Sequence, residues 1–244
     1  MSINKFAVSV ALAGILGASS ALAETDGAFA GVQFGLGGAN TKNEFCESGE
    51  GMSVCKTDSK SASALRYGFL AGYKQFFTEN FGLRYYGVVD YGADFKIDNA
   101  VEGGGQTISF SPKISALNLS ANVDALYNFI SNDSLEFGAF GGLSLAYASY
   151  KAKNALMDVT PTMTGGSDKP AFKDFKLSGF DVGVNVGVRA QIAQKHGVEL
   201  YGRFAFMENK KEETLLEDDA GSKMTQTFKA AQPYQVGLRY TFSF

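Results

Sequence analysis

The chain has 244 residues, a formal net charge of −3 and 19% charged residues, with a mean hydropathy of −0.05. Its length suits one large domain, and its acidic balance argues against a nucleic-acid partner, which favours a basic footprint. Glycine is plentiful at 29, proline scarce at 4 and tryptophan absent, a balance that suits a many-stranded protein using glycine for curvature and close approach.

The first element reads as a secretory signal peptide over residues 1–23. Lys5 supplies a sparse positive start, residues 6–16 are apolar, and Ala21-Leu22-Ala23 offers small residues where a signal peptidase cuts. Cleavage after Ala23 leaves a mature chain from Glu24 to Phe244; an uncleaved anchor is the alternative. Beyond residues 6–22 no uninterrupted apolar run reaches the roughly 18 residues of a spanning helix. Spanning strands stay open, because each needs only about ten alternating residues.

Residues 27–40 alternate, with Ala28, Ala30, Val32, Phe34 and Leu36 against Phe29, Gly31, Gln33, Gly35 and Gly37. The Gly35–Gly38 run is not read as a phosphate loop, since no Lys-Ser/Thr follows it. A polar segment, 41–63, holds Cys46 and Cys55. Lying close together, they read as a disulfide in an oxidising compartment; the alternative, a metal site, has no neighbouring Cys or His to complete it. Residues 64–95 form the clearest hairpin, turning at Thr78-Glu79-Asn80, with Tyr67, Phe69, Tyr73, Phe81, Tyr85 and Tyr91 on one face. A Gly-rich loop (96–111) leads to a strand from Pro112 to about Phe129, and a turn at 131–134 to a strand over 135–150. A loop over 151–176 precedes a strand over 177–194. A turn at 194–197 leads to a strand over 198–207. The charged segment 208–232 reads as a solvated loop, a short helix or a partner contact being the alternatives for 208–219. A last strand over 233–244 puts Tyr234, Val236, Leu238, Tyr240, Phe242 and Phe244 on one face.

These segments predict an all-β fold: an eight-stranded antiparallel transmembrane β-barrel with short periplasmic turns and four longer extracellular loops. Aromatics fall in two bands, as expected where such rings sit at both headgroup layers. Tyr67, Tyr91, Tyr147, Phe180, Phe206 and Tyr234 lie towards the loops, and Phe77, Phe81, Tyr127, Phe137 and Phe244 towards the turns. A soluble barrel would bury its apolar row instead. With lipid outside, the opposite row fills the lumen: Arg66, Lys74, Arg84, Arg189, Arg203 and Arg239 with Asp90, Asp94, Asp124, Glu136, Asp181 and Glu199. Eight strands leave an interior that side chains just fill, and charges there need partners. The reading is a lumen closed by ion pairs, with Gln33, Asn118, Asn122 and Asn128 completing the hydrogen bonds; a narrow ion pathway is the alternative.

The only histidine, His196, sits in a turn, and no spacing singles out a catalytic pair, so the expectation is a non-enzyme with no cofactor and no metal. The ending resembles the C-terminal strand of bacterial outer-membrane barrels, whose terminal Phe contributes to recognition by the assembly machinery; Tyr240, Phe242 and Phe244 are what that resemblance marks. GAFAGVQFGLG (27–37), YGFLAGYKQFFTENFGLRYYGVVDYG (67–92) and YQVGLRYTFSF (234–244) resemble the outer-membrane protein family of Helicobacter and its relatives. Val88-Val89 stands where aromatics are common in that family. The resemblance implies an outer-membrane location, with outer-membrane lipid, the barrel assembly machinery and a host or surface ligand at the loops as partners. The family includes adhesins and members described as porins. Large adhesin members carry an extended exposed domain, in whose place this chain has short loops, so no binding residues carry over.

Overall fold

The structure is a computed structural model, and it describes residues 26–49, 52–96, 99–103, 106–110, 113–132, 134–158, 171–217 and 222–244. The signal segment and its cleavage point lie outside the described residues. In chain order the strands are β1 (Gly27–Gly49), β2 (Met52–Phe76), β3 (Phe81–Lys96), β4 (Asn99–Gly103), β5 (Gln106–Phe110) and β6 (Lys113–Ser131). Then follow β7 (Leu135–Asp158), β8 (Ala171–Ile192), β9 (His196–Ala205), β10 (Glu208–Glu217), β11 (Lys223–Ala231) and β12 (Tyr234–Ser243).

All pairings are antiparallel, and the large sheet runs β10-β11-β1-β12-β9-β8-β7-β6-β3-β2, with β2 pairing back onto β1 to close a ring. The last strand lies against the first: Ala30 opposite Phe242, Gln33 opposite Arg239, Leu36 opposite Val236. Closure removes the exposed edges that an open sheet presents. Hydrogen bonds link neighbouring turns around one rim, from Asn128 N to Asn80 O (2.8 Å), Ala193 N to Ser134 O (3.0 Å), Ser243 N to Lys195 O (2.9 Å) and Phe244 N to Ala28 O (3.0 Å). The turns there are tight. Asn132 Oδ1 accepts from Ser134 N and Leu135 N at 3.1 and 2.9 Å, an Asx turn. Ala193 and Gln194 both take positive φ, as the commonest two-residue hairpin turn requires.

At the opposite rim the strands run on well past the barrel's apolar belt. The segments expected as loops over 41–63, over part of 151–176 and over most of 208–232 are strand: β1 and β2 continue to Gly49 and from Met52, β7 to Asp158, and β10–β11 is a hairpin on the upper half of β1. Within the segment expected as a loop over 96–111, β4 and β5 pair as a separate hairpin. The sheet therefore has ten strands where the sequence reading has eight. Interruptions of the strand at Phe206–Met207 and at Gln232–Pro233 split what would otherwise be two long strands; Pro233 has no N–H for the ladder, while its carbonyl accepts from Ala205 N at 3.0 Å.

Polarity follows height along the ring. Through the belt the outward row is apolar and exposed, as at Phe34, Phe69, Leu119, Leu143, Phe180 and Leu238, and the inward row is polar and buried. Above the belt the pattern inverts. Ile114, Ala116, Tyr150, Phe175, Leu177 and Phe228 pack inside, while Lys113, Lys151 and Lys176 stand outside. A strand that leaves lipid for water has to exchange its greasy face in this way.

Candidate functional site

The inward row of the belt meets across the barrel in three connected groups. Uppermost, Arg66 from β2 is paired with Asp90 of β3, its Nε lying 2.5 Å from Oδ1. The other oxygen of Asp90 accepts from Gln33 Nε2 (2.8 Å) and Gln235 Nε2 (2.9 Å), so four strands meet at one carboxylate. Beside it Arg203 donates to Asp181 (3.1 Å) and to Ser144 Oγ (2.9 Å). Such saturation is what a buried carboxylate needs, since an unpaired one is strongly unfavourable there.

At mid-height Arg84 is the hub. It donates to Asp124 Oδ2 through Nε (3.0 Å), with Nη2 in ion-pair contact at 2.9 Å, and its Nη1 reaches Glu199 across the lumen. The guanidinium also lies against two rings, 4.3 Å from the centre of Phe140 and 4.9 Å from that of Tyr86. Arg239 is held likewise, 4.0 Å from the Tyr201 ring, donating to Gln33 Oε1 (3.0 Å) and Tyr86 Oη (3.1 Å), with Glu199 3.8 Å away. Tyr86 Oη donates to Asp124 Oδ2 (2.9 Å), and Asn185 donates to Asn122 Oδ1 and Asp124 Oδ1, both at 3.1 Å. Planar, weakly hydrated guanidinium groups suit this double duty of ion pairing and stacking better than lysine would. Towards the turns Arg189 donates to Asn128 Oδ1 (3.4 Å) and Gln191 Oε1 (3.3 Å), and Lys74 and Glu136 are buried at the same end.

One residue of the expected inward row is elsewhere. Asp94 is exposed and accepts from Tyr91 Oη at 3.3 Å. The cause is a bulge: between Gly92 and Phe95 the register of β3 on β6 slips, which turns Asp94 away from the inward face. Asn185, Tyr201 and Gln235 enter the lumen on the alternating row opposite the apolar one, and Phe140 and Gln191 enter it as well, although the sequence reading placed neither of those two there. A row of alternate letters shows which way a residue points, not what it meets across the ring.

Above the belt the layer around Tyr150 is apolar, and burial, reinforced by the Asp181 charge, pushes the Tyr150 phenol up to about 12. It stays neutral at any ordinary pH. Phe175 and Phe228 close the layer edge to face, 5.3 Å apart. Higher still, Cys46 and Cys55 face each other on β1 and β2 and are joined as a disulfide. The bridge closes only the hairpin tip, nine residues apart in sequence, so a Cys46→Ser/Cys55→Ser double variant should loosen that tip by about 2–3 kcal/mol locally. Faster proteolytic clipping within 41–63, with the heat-modifiable gel shift of the barrel unchanged, is the expected readout.

On the outside, the turn-side aromatics crowd the last strand. His196 Nδ1 and Tyr240 Oη share a 2.7 Å hydrogen bond, the His196 ring lies edge-on to Phe242, and Phe242 to Phe244. The histidine is thus part of an outward aromatic patch, far from the other rim. In the upper band Tyr67 packs on Tyr91 and Tyr147 on Phe180, each pair 5.5 Å apart.

A closed ring of antiparallel strands, greasy outside and ionic inside, belongs to the class of outer-membrane β-barrels. The model of the Helicobacter outer membrane protein family matches residues 68–244, and the chain belongs to that family. Its place is therefore the outer membrane. The outer membrane protein OprG of Pseudomonas aeruginosa shares the fold at 15% identity and a TM-score of 0.53, over 91% of this chain and all of OprG (100%). Looser likenesses are a major outer membrane protein of Thermus thermophilus (15% identity, 85% and 99% of the two chains, TM-score 0.43) and Neisserial surface protein A (16%, 86% and 97%, 0.34). No curated protein matches the chain in sequence.

Proposed function

We propose that the mature chain, residues 24–244, is a single barrel whose eight ring strands (β1–β3, β6–β9 and β12) cross the outer membrane. In this reading the three tight turns face the periplasm, and β10–β11 and β4–β5 are extracellular extensions. Its lumen is sealed, and its role is structural or surface-contact, adhesin-like in that the extended upper strands and their connections meet what lies outside the cell. It is not an enzyme. Tyr240, Phe242 and Phe244 serve the assembly machinery as its C-terminal signal, and the surrounding lipid is its other partner.

The observation that carries the sealed lumen is the Arg84 cluster, in which two carboxylates, two rings and a guanidinium occupy the centre of the ring. Next to it a polar cavity bordered by Gln33, Asp90, Asn122 and Arg239 has about 10 Å³, room for about one water. Eight strands leave no further width. Purified, refolded protein in planar bilayers is expected to give no steady conductance steps. Regular single-channel steps would replace this reading with that of a small pore for ions or small solutes.

A further inference from the structure

Four lysines on adjacent strands stand together on the outer surface just above the upper aromatic band. Lys113 of β6 lies directly opposite Lys153 of β7, and Lys151 of β7 directly opposite Lys176 of β8. All four are exposed, and none has an ion-pair partner among the described residues. Elsewhere Lys42, Lys60, Lys211 and Lys229 each lie within 4.0 Å of a carboxylate. Like charges directly opposite each other on a sheet are destabilising, so an arrangement with two such pairs side by side calls for an anion from outside the chain. The nearest acids on the same face are Asp94, engaged by Tyr91, and Asp174 beyond Lys176.

Height fixes which anion. Across β6, β7 and β8 the outward face is built in levels: Leu119, Tyr147 and Phe180; then Leu117, Ser149 and Ser178; then Ser115, Lys151 and Lys176. Two residues along a tilted strand rise about 5 Å, which puts Lys151 and Lys176 about 10 Å above the aromatic level and Lys113 and Lys153, one level further, about 15 Å above it. Aromatic bands mark the headgroup boundary, and the polar layer outside the hydrocarbon is about 5–8 Å deep on each side. The ammonium groups of Lys151 and Lys176, on flexible stems that reach back down, therefore meet the phosphate level of the outer leaflet, and those of Lys113 and Lys153 hang over it from the next level up. Behind them the strands are filled by Ile114, Tyr150, Phe175 and Leu177, so the charges have no inward alternative.

We propose that Lys113, Lys151, Lys153 and Lys176 form a docking site for the phosphate groups of a phosphorylated glycolipid of the outer leaflet. The site rests on the proposed orientation, with the rim of long strands outside the cell, and not on whether the lumen conducts. Its test uses the full mature protein refolded in neutral detergent and titrated with bis-phosphorylated lipid A, with dephosphorylated lipid A, and with inorganic phosphate, reading the temperature of the heat-modifiable gel transition. Wild type is expected to be stabilised saturably by the phosphorylated lipid alone. Replacing all four lysines by glutamine should weaken that binding by roughly 600-fold, each lysine near an anionic surface being worth about fivefold, while the fourfold arginine variant keeps it. Equal binding of the dephosphorylated lipid, saturation by phosphate alone, or undiminished binding by the glutamine variant would overturn the site. Should the glutamine variant not fold, loss of binding in the well-folded arginine variant would overturn it equally.

Discussion

Arg84→Leu is expected to destabilise the barrel by about 3–5 kcal/mol, the usual consequence of removing one partner from a buried ionic cluster. The substitution leaves Asp124 and Glu199 buried in the lumen with the bonds from Arg84 gone. It also empties the space between Phe140 and Tyr86 of its cation. Urea titration followed by far-UV circular dichroism and by the heat-modifiable gel band gives the difference. A second measurement separates the two contributions. Combining Arg84→Leu with Asp124→Leu and Glu199→Leu removes the orphaned carboxylates and should recover most of the loss, because an apolar replacement of a whole buried cluster is often neutral or better. If Arg84→Leu alone left the midpoint unchanged, the cluster would be too well hydrated to be the seal described above.

Much of this cluster was legible in the sequence because strand periodicity is strictly two. Once the apolar row of β3 is assigned to lipid, Arg84 and Asp90 have nowhere to point but inward, and the same holds for Asp124 on β6, Glu199 on β9 and Arg239 on β12. Asp94 escaped this logic because one extra residue in β3 changes the face without leaving any mark in composition. The partners escaped it too. Phe140 reaches Arg84 from β7, with β6 between them, and nothing local to either residue records that meeting. The upper strands were illegible for a different reason. In β8 the inward positions change from Phe175 and Leu177 to Asp181 and Asn185, so the apolar row crosses from one face to the other within a single strand. A pattern that changes sign part-way averages to no pattern, and a polar, loop-like stretch is what remains to the eye. Backbone hydrogen bonds continue regardless, since the ladder does not depend on which face is greasy.

That change of sign also locates the bilayer, and an arginine can be used to find it. Leu143 lies in the middle of the outward row of β7, opposite Val123 and Val184, and is 65% exposed in the isolated chain. Leu143→Arg is expected to lower folding stability in bilayers by about 2–4 kcal/mol, the depth-dependent penalty for a charge at the midplane of a barrel wall. Ser149→Arg, on the same strand and the same face but one level above Tyr147, should cost roughly 0–1 kcal/mol, and Lys151 already carries a charge one level higher. The gradient between the two variants, measured by reversible denaturant unfolding in lipid vesicles, is the informative quantity. In detergent micelles, which deform around a charge, it should shrink. Equal penalties at Leu143 and Ser149 would mean that lipid does not end at the Tyr147–Phe180 level, and the lysine cluster would then lose the position that makes it a phosphate site.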